Sequence, residues 1–588
     1  MKAITTFVSG LLLSAFFLLA PVVRAAELEP FFTVKVSNIN TLVAVAERFA
    51  GMAEAADTPE FREFVNVVRN MRGFDLNSIA GVAVAVGPDG ELISLLLLPI
   101  TDLWRAEITG MPEIFDTLRP FLVRRDGGRF DINSPIGTFV ALQKQGYLII
   151  VPEDAVELVP ADARTLFADL EKYTFGTKLD LEKVEFETIE AQLFGPMLLM
   201  AMMTNPDVAE QLENVVEIYR ELYNEFAAVS SGITVNPQTG DVEISGAIVT
   251  RKDSSIGKTF AGYKEQPTIF GGFRGTPDNT VFSMGDSATQ PVLENNAMMD
   301  LNMKQYEAMF EGFLEQIEME DETGELTELA EAAVAALLKI IESESKRGAT
   351  DFALSLNTDG TFLFAIDTVS LAEIQKLAAI VAGFAENKIE GDAKTLIENN
   401  LRLGYANVEG FTVSSIKIPV IATLELIFGR PAPDDTLSDL TLGVFWATKE
   451  GNKQAIATAA GLDFAKAEAA FRTALTQTRT AMPVRKPDGD FYLAGLGKFL
   501  EQSVYPIAVK AVESSGLSTA EELAPFKKVI DIFKASGNDA TMTLTGDVKG
   551  ERADMSFRVS GKLIQAVISA VRVGVEESPF MRPGFRDF

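Results

Sequence analysis

Short stretches with a period of two alternate along the chain with longer stretches with a period of 3.6. Residues 81–86 form a short run of small and branched side chains, Asp89-Gly90 supplies a turn, and a second run starts at Leu92. The segment from Asp351 repeats this without a gap, with its turn at Asp359-Gly360 and its second run from Phe362. Two period-two runs around an Asp-Gly pair are the strongest short-range sign of a β-hairpin. Helical patterns precede the two hairpins at 59–71 and 325–346, and follow them at 111–121 and 370–386.

Two more matches occur in the same order. Ile136-Gly-Thr-Phe139 and Leu442-Gly-Val-Phe445 each open a hairpin that turns near a glycine, Gly146 or Gly451, and runs into a helix ending near Leu170 or Leu475. Amphipathic helices at 206–228 and 519–536 then lead into strands joined by Thr-Gly-Asp-Val turns at 239–242 and 545–548. Three matches in one order indicate a duplicated unit. The second copy carries extra residues between 374 and 441, assigned to an enlarged hairpin over Arg402–Ile418. The expected fold is α+β: two tandem related domains, each a meandering antiparallel sheet covered by amphipathic helices. The copies are placed at 27–265 and 277–575, with a Gly- and Pro-rich linker at 266–276 and a flexible tail at 576–588.

Residues 1–25 read as a signal peptide. Lys2 gives the positive start, Thr5–Val23 is almost uncharged, and Val23-Arg24-Ala25 fits a cleavage site. The alternative is a retained anchor, because the apolar stretch is nearly long enough to span a bilayer. Cleavage leaves no later span, so the chain is expected to be exported to the periplasm or beyond the cell. There is no cysteine for a lipid anchor or a disulfide.

The repeated unit resembles an exported bacterial family of unknown function. The resemblance lies in Thr276-Pro277-Asp278-Asn279-Thr280-Val281, close to the family's Pro-Ala-Asp-Thr-Val-like opening strand, and in Gly73-Phe74-Asp75-Leu76 before Ile79-Ala80-Gly81. Copy 1 departs at its own opening, which reads Leu28-Glu29-Pro30. The resemblance implies fold and export, and it brings no catalytic residue.

Composition removes most catalytic chemistry. The 588 residues include no histidine and no cysteine, which excludes Ser-His-Asp and Cys-His nucleophiles, thiolates and the usual zinc sites. A net charge of −31 disfavours nucleic acid and anionic membrane surfaces. Ser255/Lys258, Ser343/Lys346 and Ser414/Lys417 have Ser-x-x-Lys spacing, the one nucleophile-base pairing open to a histidine-free chain. Gly257-Lys258-Thr259 mimics a phosphate loop, but Lys252 stands where the first glycine is required. The acidic run from Glu311 to Glu331 lacks calcium-loop spacing and reads as a solvated face. Trp104 and Trp446 sit in hairpin-helix segments and read as scaffold rather than as sugar platforms.

Methionines supply the remaining signal. Met197, Met200, Met202 and Met203 follow Phe194, and Met298, Met299 and Met303 form a second group. Flexible thioethers suit adaptable apolar binding, and the plainer reading is a core helix. Phe194, Met197, Met200 and Met203 are therefore the candidate ligand or partner groove. No catalytic residue, metal or cofactor is expected. The leading expectation is an exported, non-enzymatic binding or structural protein whose partner is another protein. The alternatives are a periplasmic carrier of a hydrophobic ligand and a carboxylate-dependent hydrolase.

Overall fold

The structure is a computed structural model. It describes residues 29–70, 75–87, 90, 92–101, 122–124, 129–134, 137–195, 197–198, 206–289, 291, 297–320, 324–388, 399–419, 441–451, 454–478, 488–515 and 523–577. Residues 1–28, which include the stretch read as a signal peptide, the helical pattern at 111–121, Met200, Met203 and the tail from 578 lie outside the described residues. Two compact units divide the chain: 1–257 with 551–556, and 258–550 with 557–588.

Unit 1 contains strands β1 (Pro30–Val36), β2 (Ala80–Val86), β3 (Leu92–Pro99), β4 (Leu122–Arg124), β5 (Arg129–Ser134), β6 (Gly137–Lys144), β7 (Tyr147–Pro152), β8 (Phe175–Asp180), β9 (Phe226–Val235) and β10 (Val242–Thr250). Their antiparallel pairings give the order β4-β5-β6-β7-β3-β2-β1-β8-β9-β10. Helices α1 (Ile39–Met52) and α2 (Pro59–Arg69) follow β1, capped by the side chains of Asn38 and Thr58. Helix α3 (Pro206–Glu225) precedes β9.

Unit 2 opens with the two-residue strand β11 (Lys264–Glu265), then β12 (Thr280–Thr289), β13 (Ala349–Asn357), β14 (Phe362–Thr368), β15 (Leu401–Val408), β16 (Phe411–Pro419), β17 (Thr441–Lys449), β18 (Gln454–Gly461), β19 (Asp488–Tyr492) and β20 (Thr541–Lys549). The pairing order is β15-β16-β17-β18-β14-β13-β12-β19-β20, the same plan as in unit 1. Helices α4 (Ala297–Glu320) and α5 (Glu325–Ser345) lie between β12 and β13, α6 (Leu371–Lys388) follows β14, and α7 (Phe464–Gln477) follows β18. A five-residue π-helical stretch recurs at the matching place in each unit, at Glu190–Phe194 and Leu500–Val504.

The expected pair of domains with separate meandering sheets is corrected on two counts. First, the described strands belong to one 21-stranded sheet, in which β10 pairs with β21 (Arg552–Val559). An edge strand exposes a row of unpaired N–H and C=O groups, and β21 supplies partners for them. Second, the order is not a meander, because β7 returns to pair with β3 and β8 returns to pair with β1. Hairpin signals specify neighbouring strands only, whereas these returns are long-range pairings.

Period two decides the layers. In unit 1 both faces are buried. Ala83, Leu95, Ile149 and Phe167 form one cluster, and Val82, Val84, Leu96 and Ile150 form the other. In unit 2 one face is fully buried, with Ala353, Ala365, Phe445 and Ala457 packed against Phe471 of α7 and against Phe270 and Phe273. The segment read as a linker thus carries two phenylalanines into the core, and Thr268 and Ile269 donate to the Asp351 carboxylate at 2.6 and 3.0 Å. The turn at Gly360 has a φ of 84°, which a glycine adopts without strain.

Candidate functional site

The opposite face of the unit 2 sheet is the site candidate. Strand register places Met284 beside Leu354, Leu354 beside Phe364, Phe352 beside Ile366, and Ile366 beside Ile456. Trp446 lies across from Thr458 on the same face. These side chains are all partly exposed, while their neighbours in sequence, such as Ala353, Ala365, Phe445 and Ala457, are fully buried. None of these seven large residues belongs to a buried apolar cluster among the described residues. In unit 1 the matching positions on β2, β3 and β7 are buried. Unit 2 therefore keeps partly open an apolar surface that unit 1 has sealed.

Such a surface can do one thing chemically, which is to take up an apolar molecule. At ~25 cal/mol per Å², removing about 300 Å² of apolar area from water is worth about 7 kcal/mol before the costs of association. The side chains alternate among Phe, Leu, Ile, Met and Trp, and they present no polar atom apart from the indole N–H.

Asp286 marks the end of this surface. It follows Phe282 and Met284 on the same face of β12 and pairs with Phe352. β19 stops opposite Gly285, so Asp286 lies one residue beyond it. The Tyr263 hydroxyl donates to Asp286 Oδ1 at 3.2 Å. Burial raises the Asp286 carboxyl above its ordinary value, and the Tyr263 hydrogen bond opposes that shift only in part. Tyr263 is pushed well above its own ordinary value, by burial first and then by the Asp286 charge. Asp286 forms no ion pair among the described residues. The position that matches it in unit 1, judged by register, holds Val34, which pairs with Val82 as Asp286 pairs with Phe352.

The residues expected from sequence lie in unit 1. Phe194 ends the π-helical stretch, and its ring stands 5.5 Å from that of Tyr219 on α3. Met197 is 55 % exposed and Tyr219 51 % exposed, with Val215 one turn before Tyr219 on α3. Arg220 and Glu190 pair at 2.5 Å beside them. Phe194 and Met197 can thus be described, whereas Met200 and Met203 fall outside the described residues. Of the second methionine group, Met303 lies partly buried on α4.

The Ser-x-x-Lys candidates find other partners. The Ser255 hydroxyl donates to Glu225 at 2.7 Å, and buried Ser414 accepts from the Gly404 N–H at 3.0 Å. Lys346 pairs with Glu342 at 2.5 Å. Of the acidic run, Glu311, Glu315, Glu318, Glu328 and Glu331 are exposed on α4 and α5, and no group of carboxylates among the described residues is arranged to hold a metal. Sequence reasoning missed the β12–β18 face and took Trp446 for scaffold. The available signal was the run of large apolar residues at every second position of β13, β14 and β17.

No helix among the described residues is long and apolar enough to cross a membrane. No protein-family model matches this chain, and neither a curated protein nor a solved structure is found to be similar to it.

Proposed function

We propose that this protein is an exported, non-catalytic binder of an apolar ligand, held on the partly open sheet face of unit 2. One observation carries the reading. Met284, Phe352, Leu354, Phe364, Ile366 and Trp446 share a face and stay partly exposed, while the matching face of unit 1 is closed over its own core. A stable chain gains nothing from leaving such a surface wet, and exposed apolar patches of this kind mark ligand or partner sites. The export part rests on Lys2, the apolar stretch after it and the small residues up to Ala25. The lack of histidine and cysteine favours binding over catalysis. A second reading places the ligand in unit 1, on Phe194, Met197 and Tyr219, because Met197 and Tyr219 are large apolar side chains that are both more than half exposed, and the Phe194 ring lies beside that of Tyr219.

The test uses diphenylhexatriene, a neutral rod-shaped fluorophore that brightens in apolar sites. Energy transfer from Trp446 should report its binding, and Trp446→Phe should remove most of that transfer. Leu354→Gln and Phe364→Gln should each weaken binding at least tenfold while the circular dichroism spectrum is kept. Binding that survives both changes but is lost on Met197→Asp moves the site to unit 1. No binding of any apolar probe overturns the proposal.

A further inference from the structure

We infer that the ligand of the unit 2 face is an amphiphile whose head group carries a primary ammonium, seated against Asp286. This deepens the proposed function and rests on it. The physical case is charge complementarity at one end of an apolar surface. A chain laid across Phe364 and Leu354 meets Met284 and then Asp286 along β12. That carboxylate is half-buried, accepts hydrogen bonds from the Tyr263 hydroxyl and the Ser287 backbone N–H, and has no ion-pair partner among the described residues. The charged groups around it are Glu265, which adds negative charge, and Arg274, whose guanidinium is committed to Asp488 through an ion pair and a 3.1 Å bond to the Asp488 carbonyl. The local balance thus leaves negative charge to be neutralised. An ammonium brings three donors and one positive charge, while a carboxylate or phosphate head would meet repulsion at the same place. Unit 1 gives the internal comparison. The position of Asp286 is taken there by Val34, which lies beside Val82 on a face that is closed. The acid therefore occurs where the apolar face is open, and not where it is sealed.

The test compares dodecylamine, dodecanol and dodecanoate by calorimetry at pH 7.5 on the full chain, each below its critical micelle concentration. Dodecylamine should bind at least tenfold more tightly than dodecanol, and dodecanoate most weakly. Asp286→Asn should bring amine and alcohol to within about twofold of each other without weakening the alcohol. Asp286→Ala serves as a second variant, and Glu265→Gln controls for a general effect of negative charge. Equal binding of all three ligands, with dodecanol binding still lost on Phe364→Gln, overturns the head-group assignment and keeps the apolar site. An amine preference that persists in Asp286→Asn and disappears in Glu265→Gln also overturns it. Failure of all three to bind overturns the proposed function itself.

Discussion

Glu344 shows how much work one side chain can do at a helix end. Its carboxylate accepts from the Thr368 hydroxyl and from the N–H groups of Val369 and Ser370 at 3.0 and 3.1 Å, just ahead of α6. Arg347 donates to it at 3.1 Å and also pairs with Asp367. Burial alone would raise the Glu344 carboxyl, but these hydrogen bonds outweigh it and hold the group below its ordinary value. A depressed carboxyl stabilises the fold above its unfolded value of about 4.3, and that contribution is lost as the pH falls through the lower folded value. Glu344→Gln should therefore cost about 1 kcal/mol at pH 7 in urea denaturation, and the gap to the parent should narrow below about pH 4. A gap that stays constant with pH would show that the charge has no part in it. A second residue-scale feature is a cation beneath the sheet in each unit. Lys35 of β1 donates to the carbonyls of Glu171 and Tyr173, and its ammonium is held below its ordinary value by burial. In unit 2 the cation is Arg274, whose guanidinium lies 3.1 Å from where a Cβ on Gly285 of β12 would stand. Neither substitution pattern was visible as chemistry in the sequence, because the two cations come from different segments of the repeat.

At the scale of elements, paired glycines set how closely a layer can approach the sheet. Gly176 of β8 and Gly232 of β9 face each other, and a methyl group on either would overlap the Tyr173 side chain lying across them. Glycine inside a strand ordinarily weakens it, and here it admits a ring at close range. Gly232→Ala should cost about 1–3 kcal/mol through overpacking. A double-mutant cycle with Tyr173→Ala, read by urea denaturation, should give strong positive coupling, and purely additive losses would refute the slot. The hairpin elements were legible from period two and Asp-Gly turns. The short 3-10 segment at Ala163–Leu170, read as an ordinary helix end, was not, since its i to i+3 bonding is set by packing under β1 and β8. The candidate site was legible only in part. Phe364, Leu354 and Trp446 recur at every second position, and that period marks them as one apolar face without deciding whether the face is covered or left open.

The whole molecule departs most from its sequence at the edge of unit 1. Residues 551–556 belong to that unit although nearly 300 residues separate them from its last strand. The Thr250 N–H and hydroxyl donate to the Glu551 carbonyl at 2.8 and 2.9 Å, and Ser556 donates to Glu243 at 3.0 Å. A fragment ending at residue 257 would keep β10 with a bare edge. It should melt at a lower temperature than the parent or self-associate, as light scattering after gel filtration would reveal. A monomeric fragment with unchanged melting would show that the 551–556 contacts contribute little.

The sequence by itself determined the strands, most helices, the recurring order of its parts and the exclusion of histidine and cysteine chemistry. These follow from local periodicity, turn residues and composition. The tertiary structure alone decided that the strands join in one sheet, that Phe270 and Phe273 enter a core, and that Asp286 closes one end of a half-open apolar face. Those outcomes depend on pairings and layers between residues far apart in the chain, and the alternation of a single strand is the same whether its face is covered or left open.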